Sequence, residues 1–124
     1  MPRPRICRLV ETPPPADYYK PRGVPLASLR ELVLPVEGLE ALRLAEVEGL
    51  DQETAAAQMG VSRPTFTRVL AEARRVVAQA LVNGWALRIA GGDYHLTDAD
   101  PAGAPCRGGR GRGGGMGRGR RGRE

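Results

Sequence analysis

Residues 51–70, Asp-Gln-Glu-Thr-Ala-Ala-Ala-Gln-Met-Gly-Val-Ser-Arg-Pro-Thr-Phe-Thr-Arg-Val-Leu, restrict this chain more than any other stretch. Two helix signals stand eleven residues apart, with a glycine between them. Asp51 is suited to cap a helix over about 52–59, and Ser62 to cap a second one, in whose first turn Pro64 is tolerated. Gly60 can take the left-handed conformation that reverses the chain. Val61 then fills the space between the helices. Ala55, Ala56 and Ala57 let two helix backbones approach closely, although their helix propensity alone accounts for them equally well.

The second of these helices carries the longest periodic signal. Phe66, Val69, Leu70, Ala73, Val76, Val77, Ala80 and Leu81 recur at a spacing of three and four, which predicts one continuous buried stripe. Asn83-Gly84 closes it, giving a rod of about 21 residues and roughly 30 Å. Upstream, a helix over about 36–48 is expected. Pro35 suits its opening position, Glu37 and Glu40 sit at the positive end of its dipole, and Gly49 ends it. Leu39, Leu42 and Val47 predict its buried face, which Leu44 and Ala45 broaden. A further short helix is read from Leu26, Leu29, Leu32 and Val33.

Both ends of the chain read differently. Residues 1–25 hold seven prolines and cannot be helical for long. Ile6-Cys7-Arg8-Leu9-Val10 predicts a short strand, and Trp85-Ala86-Leu87-Arg88-Ile89-Ala90 alternates like another. Gly91-Gly92-Asp93 turns the chain toward Tyr94-His95-Leu96. That segment either closes a hairpin or pairs with residues 6–10. Beyond about Thr97 the composition shifts to Gly and Arg, and residues 107–123 contain nothing else except Met116. Such a segment cannot bury a core and is expected to be disordered.

The net charge of +5 conceals a division. Residues 107–124 carry seven arginines and Glu124, leaving the other 106 residues at −1. Within those, residues 61–84 sum to +3 and residues 35–60 to −5. A positive leading helix backed by negative ones directs one face toward a polyanion, although two ordinary solvated faces would give the same count. No apolar run approaches the roughly 20 residues that span a bilayer, and no signal peptide is apparent, so a cytoplasmic location is expected. His95 is the sole histidine, and Cys7 and Cys106 stand far apart without a second ligand at metal spacing. A disulfide between them is open, but nothing in the sequence requires one. No acid, base and nucleophile converge, so neither an enzyme nor a bound metal or cofactor is expected.

If residues 51–83 form a helix-turn-helix, the first turns of the second helix meet the major groove of DNA. Phe66, Val69 and Leu70 then face inward, leaving Arg63, Thr65, Thr67 and Arg68 outward. Arg63 or Arg68 could read guanine by paired hydrogen bonds, whereas Thr65 and Thr67 suit phosphate or a thymine methyl. Ser62 either serves only as the helix cap or also approaches a phosphate. Arg74 and Arg75 are expected to meet the DNA backbone or solvent. Arg3 and Arg5, on a proline-stiffened arm, suit a minor groove or simply keep the terminus soluble. The arginine tail adds salt-sensitive, sequence-independent attraction. It resembles Arg-Gly segments that bind RNA, but lacks aromatic residues for stacking.

Several blocks together resemble one family. They are Met1-Pro2-Arg3-Pro4-Arg5, Tyr19-Lys20-Pro21 with Gly23-Val24-Pro25-Leu26, Glu40-Ala41-Leu42-Arg43-Leu44, Met59-Gly60-Val61-Ser62-Arg63-Pro64-Thr65-Phe66, Ala80-Leu81-Val82-Asn83-Gly84 and Ala86-Leu87-Arg88-Ile89. In order, over about residues 1–94, they are similar to a prokaryotic family of small, largely uncharacterised, predicted DNA-binding proteins. About residues 34–81 also resemble the C-terminal helix-turn-helix of sigma factors. The resemblance implies a sigma-like DNA-binding domain without the other sigma regions. Members of the family usually carry an acid where Thr54 stands, which weakens a capping box with Asp51. Some longer relatives carry a domain similar to dinitrogenase iron–molybdenum cofactor-binding proteins. No counterpart is seen here, and no metal function is carried over.

The expectation is therefore a mainly α fold: a sigma-like helix-turn-helix on a winged-helix-like helical core, with a short β ribbon and a disordered C-terminal tail. The DNA-binding domain is placed at residues 1–96, with its core at 34–84, and the tail at 97–124. The expected function is sequence-specific binding of double-stranded DNA in transcription regulation, with a homodimer as the expected form because paired half-sites multiply affinity. The competing readings are a module that contacts the transcription machinery and an RNA-binding protein acting through its tail.

Overall fold

Three helices and two small sheets make up the fold, so it is a mixed α/β arrangement rather than a mainly α one. The structure is a computed structural model that describes residues 7–97 and Cys106. Helix α1 spans Val36–Leu42 and runs on through a π turn at Arg43–Val47. Helix α2 covers Gln52–Met59, and α3 covers Arg63–Asn83. The strands are β1 (Arg8–Val10), β2 (Tyr18–Tyr19), β3 (Glu31–Leu34), β4 (Ala86–Ile89) and β5 (Tyr94–Leu96).

The strand at Glu31–Leu34 replaces the short helix expected around residues 26–33. Only a single 3-10 turn forms there, at Leu26–Ser28. Leu34 precedes Pro35, whose ring disfavours the helical region for its neighbour, and β-branched Val33 suits an extended chain. Once extended, the segment finds β4. Strand β4 lies at the centre of a three-stranded sheet, parallel to β3 and antiparallel to β2, with Leu32 beside Leu87 and Leu34 beside Ile89.

The expected single ribbon is thus two sheets. Of the two alternatives for residues 94–96, the hairpin does not form. Instead β5 pairs in parallel with β1, Arg8 beside Tyr94 and Val10 beside Leu96. The bond from Thr97 N–H to the Val10 carbonyl (2.8 Å) extends this ladder and ties the two ends of the domain together. Cys106 forms a disulfide with Cys7, their Cα atoms 5.6 Å apart, a bond that nothing in the sequence had required. The tail expected to be disordered otherwise lies outside the described residues.

Two buried clusters meet on α3. Toward the sheets, Val10, Leu34, Val36, Ala73, Val76, Ile89 and Leu96 form one core. Toward α2, Ala41, Leu44, Ala55, Ala56, Met59, Phe66 and Leu70 form the other. The expected α3 stripe is buried along Phe66, Leu70, Ala73, Val76 and Ala80, but Leu81 at its end is 78% exposed. In α1, the π turn changes which residues face inward. The bond from Glu48 N–H to the Arg43 carbonyl (2.8 Å) inserts an extra residue into the last turn. Leu44 thereby enters the core, while Val47, expected to be buried, is 77% exposed.

Candidate functional site

The turn between α2 and α3 is built as its residues suggest. Asp51 caps α2 by accepting a hydrogen bond from Thr54 N–H at 2.7 Å. Its carboxyl is held below the usual carboxylate range, first by that backbone bond, then by a bond from the Thr54 side chain, with the Arg63 charge contributing least. Thr54 therefore supplies a hydroxyl where an acid would complete a capping box. Gly60 closes α2 at φ +69°, and a Cβ there would lie 3.3 Å from the Leu9 side chain. The turn therefore both needs a left-handed residue and sits tightly against β1.

Ser62 caps α3, accepting from Thr65 N–H at 3.3 Å while its hydroxyl donates to Thr65 Oγ1 at 3.0 Å. Thr65 is consequently half-buried and occupied. Thr67 is exposed, and its hydroxyl donates to Gln52 Oε1, so it braces the start of α2 against α3. Arg63 and Arg68 are exposed, and neither forms an ion pair with another described residue, Asp51 and Arg63 interacting only through their fields. Ser62, Arg63, Thr65, Thr67 and Arg68 thus all lie on the first two turns of α3. Arg3 and Arg5 lie outside the described residues.

Arg74 and Arg75, expected to meet DNA backbone or solvent, are exposed and paired with neighbouring acids. Arg74 Nε donates to Glu46 Oε2 of the π turn at 2.7 Å, and Arg75 bonds Glu72 and Gln79 on its own helix. Basic side chains at the middle of α3 are thus paired locally, whereas those at its start are not. On the sheet, Arg88 Nε donates to Glu31 at 2.6 Å.

One neighbour escaped the sequence reading. Arg8 of β1 lines a cleft of about 330 Å³ together with Arg68 and Glu72 of α3 and Glu37 of α1. Residues 8 and 68 are brought together only by the fold, and no local signal in the sequence links them. Glu37, 8% exposed, is raised above its usual value by burial, which its own backbone N–H and then the Arg8 charge partly counter. Gly92, at φ +96°, is required beside it, because a Cβ there would overlap the Glu37 carboxylate.

A second charged cluster fixes α1 to the N-terminal segment. Glu40, 6% exposed, accepts from Glu11 N–H at 3.1 Å and from Arg43 Nε and Nη2, each at 2.9 Å. Arg43 also reaches Glu11 and Glu48, and its guanidinium is held more firmly protonated than usual, chiefly by the Glu40 bond. Among the described residues, no three histidine, cysteine, aspartate or glutamate side chains are grouped to hold a metal ion. Nor is any described helix long and apolar enough to cross a membrane.

These features have close counterparts in sequence elsewhere. A UPF0251 protein of Moorella thermoacetica is 62% identical over 97 residues, covering 78% of this chain and 65% of the relative, so the chain spans about two thirds of that protein's length. A UPF0251 protein of Thermoanaerobacter pseudethanolicus is 52% identical over 103 residues, covering 83% of this chain and 87% of its own. A third, from Rhodospirillum rubrum, is 56% identical over 92 residues, covering 74% of this chain and 64% of the relative. No solved structure matches. The model of the family described as protein of unknown function DUF134 matches residues 1–97, and the chain belongs to this DUF134/UPF0251 family.

Proposed function

We propose that the domain is a sequence-specific DNA-binding protein that regulates transcription, with α2 and α3 forming a sigma-like helix-turn-helix and α3 as its reading helix. The observation that carries this reading is the state of the basic side chains. Arg63 and Arg68 stand free of ion pairs among the described residues at the leading end of a 21-residue helix, while Arg74, Arg75 and Arg88 are engaged by acids. A free guanidinium on the first turns of such a helix can offer paired donors to guanine without first breaking a salt bridge. Thr65 and Thr67 serve as braces of the turn in this reading, and Ser62 as its cap. Their hydroxyls already have partners in the free protein.

Selection of binding sites from random duplex DNA by the full chain tests the reading. A defined site should emerge. Arg63→Ala and Arg68→Ala should each relax preference at a particular base pair by about 1–3 kcal/mol, with unfolding temperatures unchanged because both side chains are exposed. Removing the tail arginines, residues 107–123, should instead lower affinity for all sequences and flatten its salt dependence. If the two helix variants retained both preference and affinity, α3 would not be the reading element. RNA binding that disappears on truncation near Asp98, with no selected DNA site, would replace the proposal with a tail-borne RNA function.

A further inference from the structure

Opposite the leading end of α3, the inner face of the three-stranded sheet is incompletely covered. Leu34, Leu87 and Ile89 from the sheet, Leu39 and Leu42 from α1, and Val77 from α3 line an apolar groove of about 570 Å³. Leu81 lies on its edge, 78% exposed, and the adjoining Val82 is 83% exposed. Single exposed aliphatic side chains are ordinary, but Leu81 adjoins the groove and makes one contiguous apolar surface with it, the kind that marks a contact.

We infer that this groove is the contact between two copies of the chain, related by a two-fold axis near Leu81. Three features select a second copy over another partner. First, a two-fold contact uses the same patch twice, so the patch must hold both a projection and a recess. Here the exposed Leu81 and the groove are side by side on one surface. Second, residues 76–87 form a run of twelve without a single charge, in a chain whose net charge is +5. That run supplies Val77, Ala80, Leu81, Gly84, Trp85 and Leu87 to the groove, whose one charged lining residue is Lys20, so two copies of a basic protein repel least where they meet on it. Third, the groove and the free arginines occupy opposite ends of α3, so association leaves the reading face open.

The third feature, which rests on the proposed DNA-reading role, also bears on spacing. From Leu81 back to Thr65 along α3 is about 24 Å at 1.5 Å per residue. Two such arms related by a two-fold axis near Leu81 place their leading ends at most about 48 Å apart. The dimer therefore predicts inverted half-sites.

Sedimentation of the full chain without DNA tests the association independently of any DNA role. Trp85, the only tryptophan, lines the groove and reports its burial. The wild-type chain should reach dimer mass as concentration rises, with a matching blue shift of tryptophan emission. Leu81→Glu and Leu81→Lys should sediment as monomers, with unchanged circular dichroism because the side chain is exposed. Val33→Glu, on the opposite face of the sheet, should remain dimeric. A wild-type chain that stays monomeric, or a dimer that survives both Leu81 variants, overturns the inference. So does a monomer whose Trp85 emission shifts on adding a fatty acid, which would make the groove a site for a small apolar ligand. If dimerisation is established but no DNA site can be selected, the DNA-reading role fails and the interface stands.

Discussion

Arg43→Met offers the sharpest test of what holds α1 in place. The Glu40 side chain is 7% exposed and that of Arg43 30%, and two of the three hydrogen bonds to Glu40 come from the Arg43 guanidinium. Removing Arg43 leaves a nearly buried carboxylate with only the Glu11 N–H. Breaking a buried ion pair costs about 3–5 kcal/mol, and partial exposure of Arg43 lowers the expectation here to about 2–3 kcal/mol. In a domain of this size each kcal/mol moves the unfolding midpoint by roughly 4–8 °C, so a drop of about 10–20 °C is expected. Urea unfolding of Arg43→Met, Glu40→Gln and the double variant measures the pair directly. The double variant should be less destabilised than the sum of the singles by about 1–2 kcal/mol, since the amide that replaces the Glu40 carboxylate has no charge to strand. A cost for Arg43→Met within about 0.5 kcal/mol of wild type, or simple additivity, would refute the reasoning and class the pair with surface salt bridges.

Two further outcomes follow from the local geometry, alongside those for the arginines of α3 and for Leu81. Ser62→Ala removes the acceptor for Thr65 N–H and should cost about 1 kcal/mol, whereas Ser62→Asp should restore most of it; thermal denaturation of the three chains decides. Glu37 is raised above its usual 4.5 by burial, so the folded chain holds its proton more readily than the unfolded one. The resulting destabilisation is fully present above the folded value and is relieved as pH falls through it toward 4.5. Glu37→Gln should therefore be relatively more stable at neutral pH and show a flatter stability profile across that interval, as followed by urea midpoints at a series of pH values.

What could be read from the sequence is what local chemistry decides. Asp51, Gly60, Ser62 and Gly84 each act through bonds to residues within a turn or two, and the ends of α2 and α3 fall where those residues place them. The pairing of Arg8 with Tyr94 was one of two alternatives the sequence offered, whereas the three-stranded sheet was hidden because it joins distant segments, Glu31 with Ala86. The apolar spacing at 26, 29, 32 and 33 is helical, and pairing with β4 overrides it. Val47 was misplaced by a single inserted residue, which turns every later side chain by about 100°. At the candidate site, the arginines were legible as exposed positions on a periodic helix. That Thr67 would be held by Gln52, and Arg74 by Glu46, depends on tertiary placement that no spacing records.

The blocks that carry the family resemblance acquire a physical meaning once they are placed on the fold. In Glu40-Ala41-Leu42-Arg43-Leu44, the charged pair locks α1 to the N-terminal segment while Ala41 and Leu44 are fully buried against α2 and α3. In Met59-Gly60-Val61-Ser62, Met59 fills that same core, Gly60 turns the chain against Leu9, and Ser62 starts α3. Both blocks therefore serve one end, the orientation of the first turns of α3. The block Ala80-Leu81-Val82-Asn83-Gly84 is different in kind. Ala80 is buried and Gly84 ends the helix, but Leu81 and Val82 are exposed and belong to neither core. Packing within one copy does not account for this apolar pair, and the proposed contact between copies would give Leu81 a role.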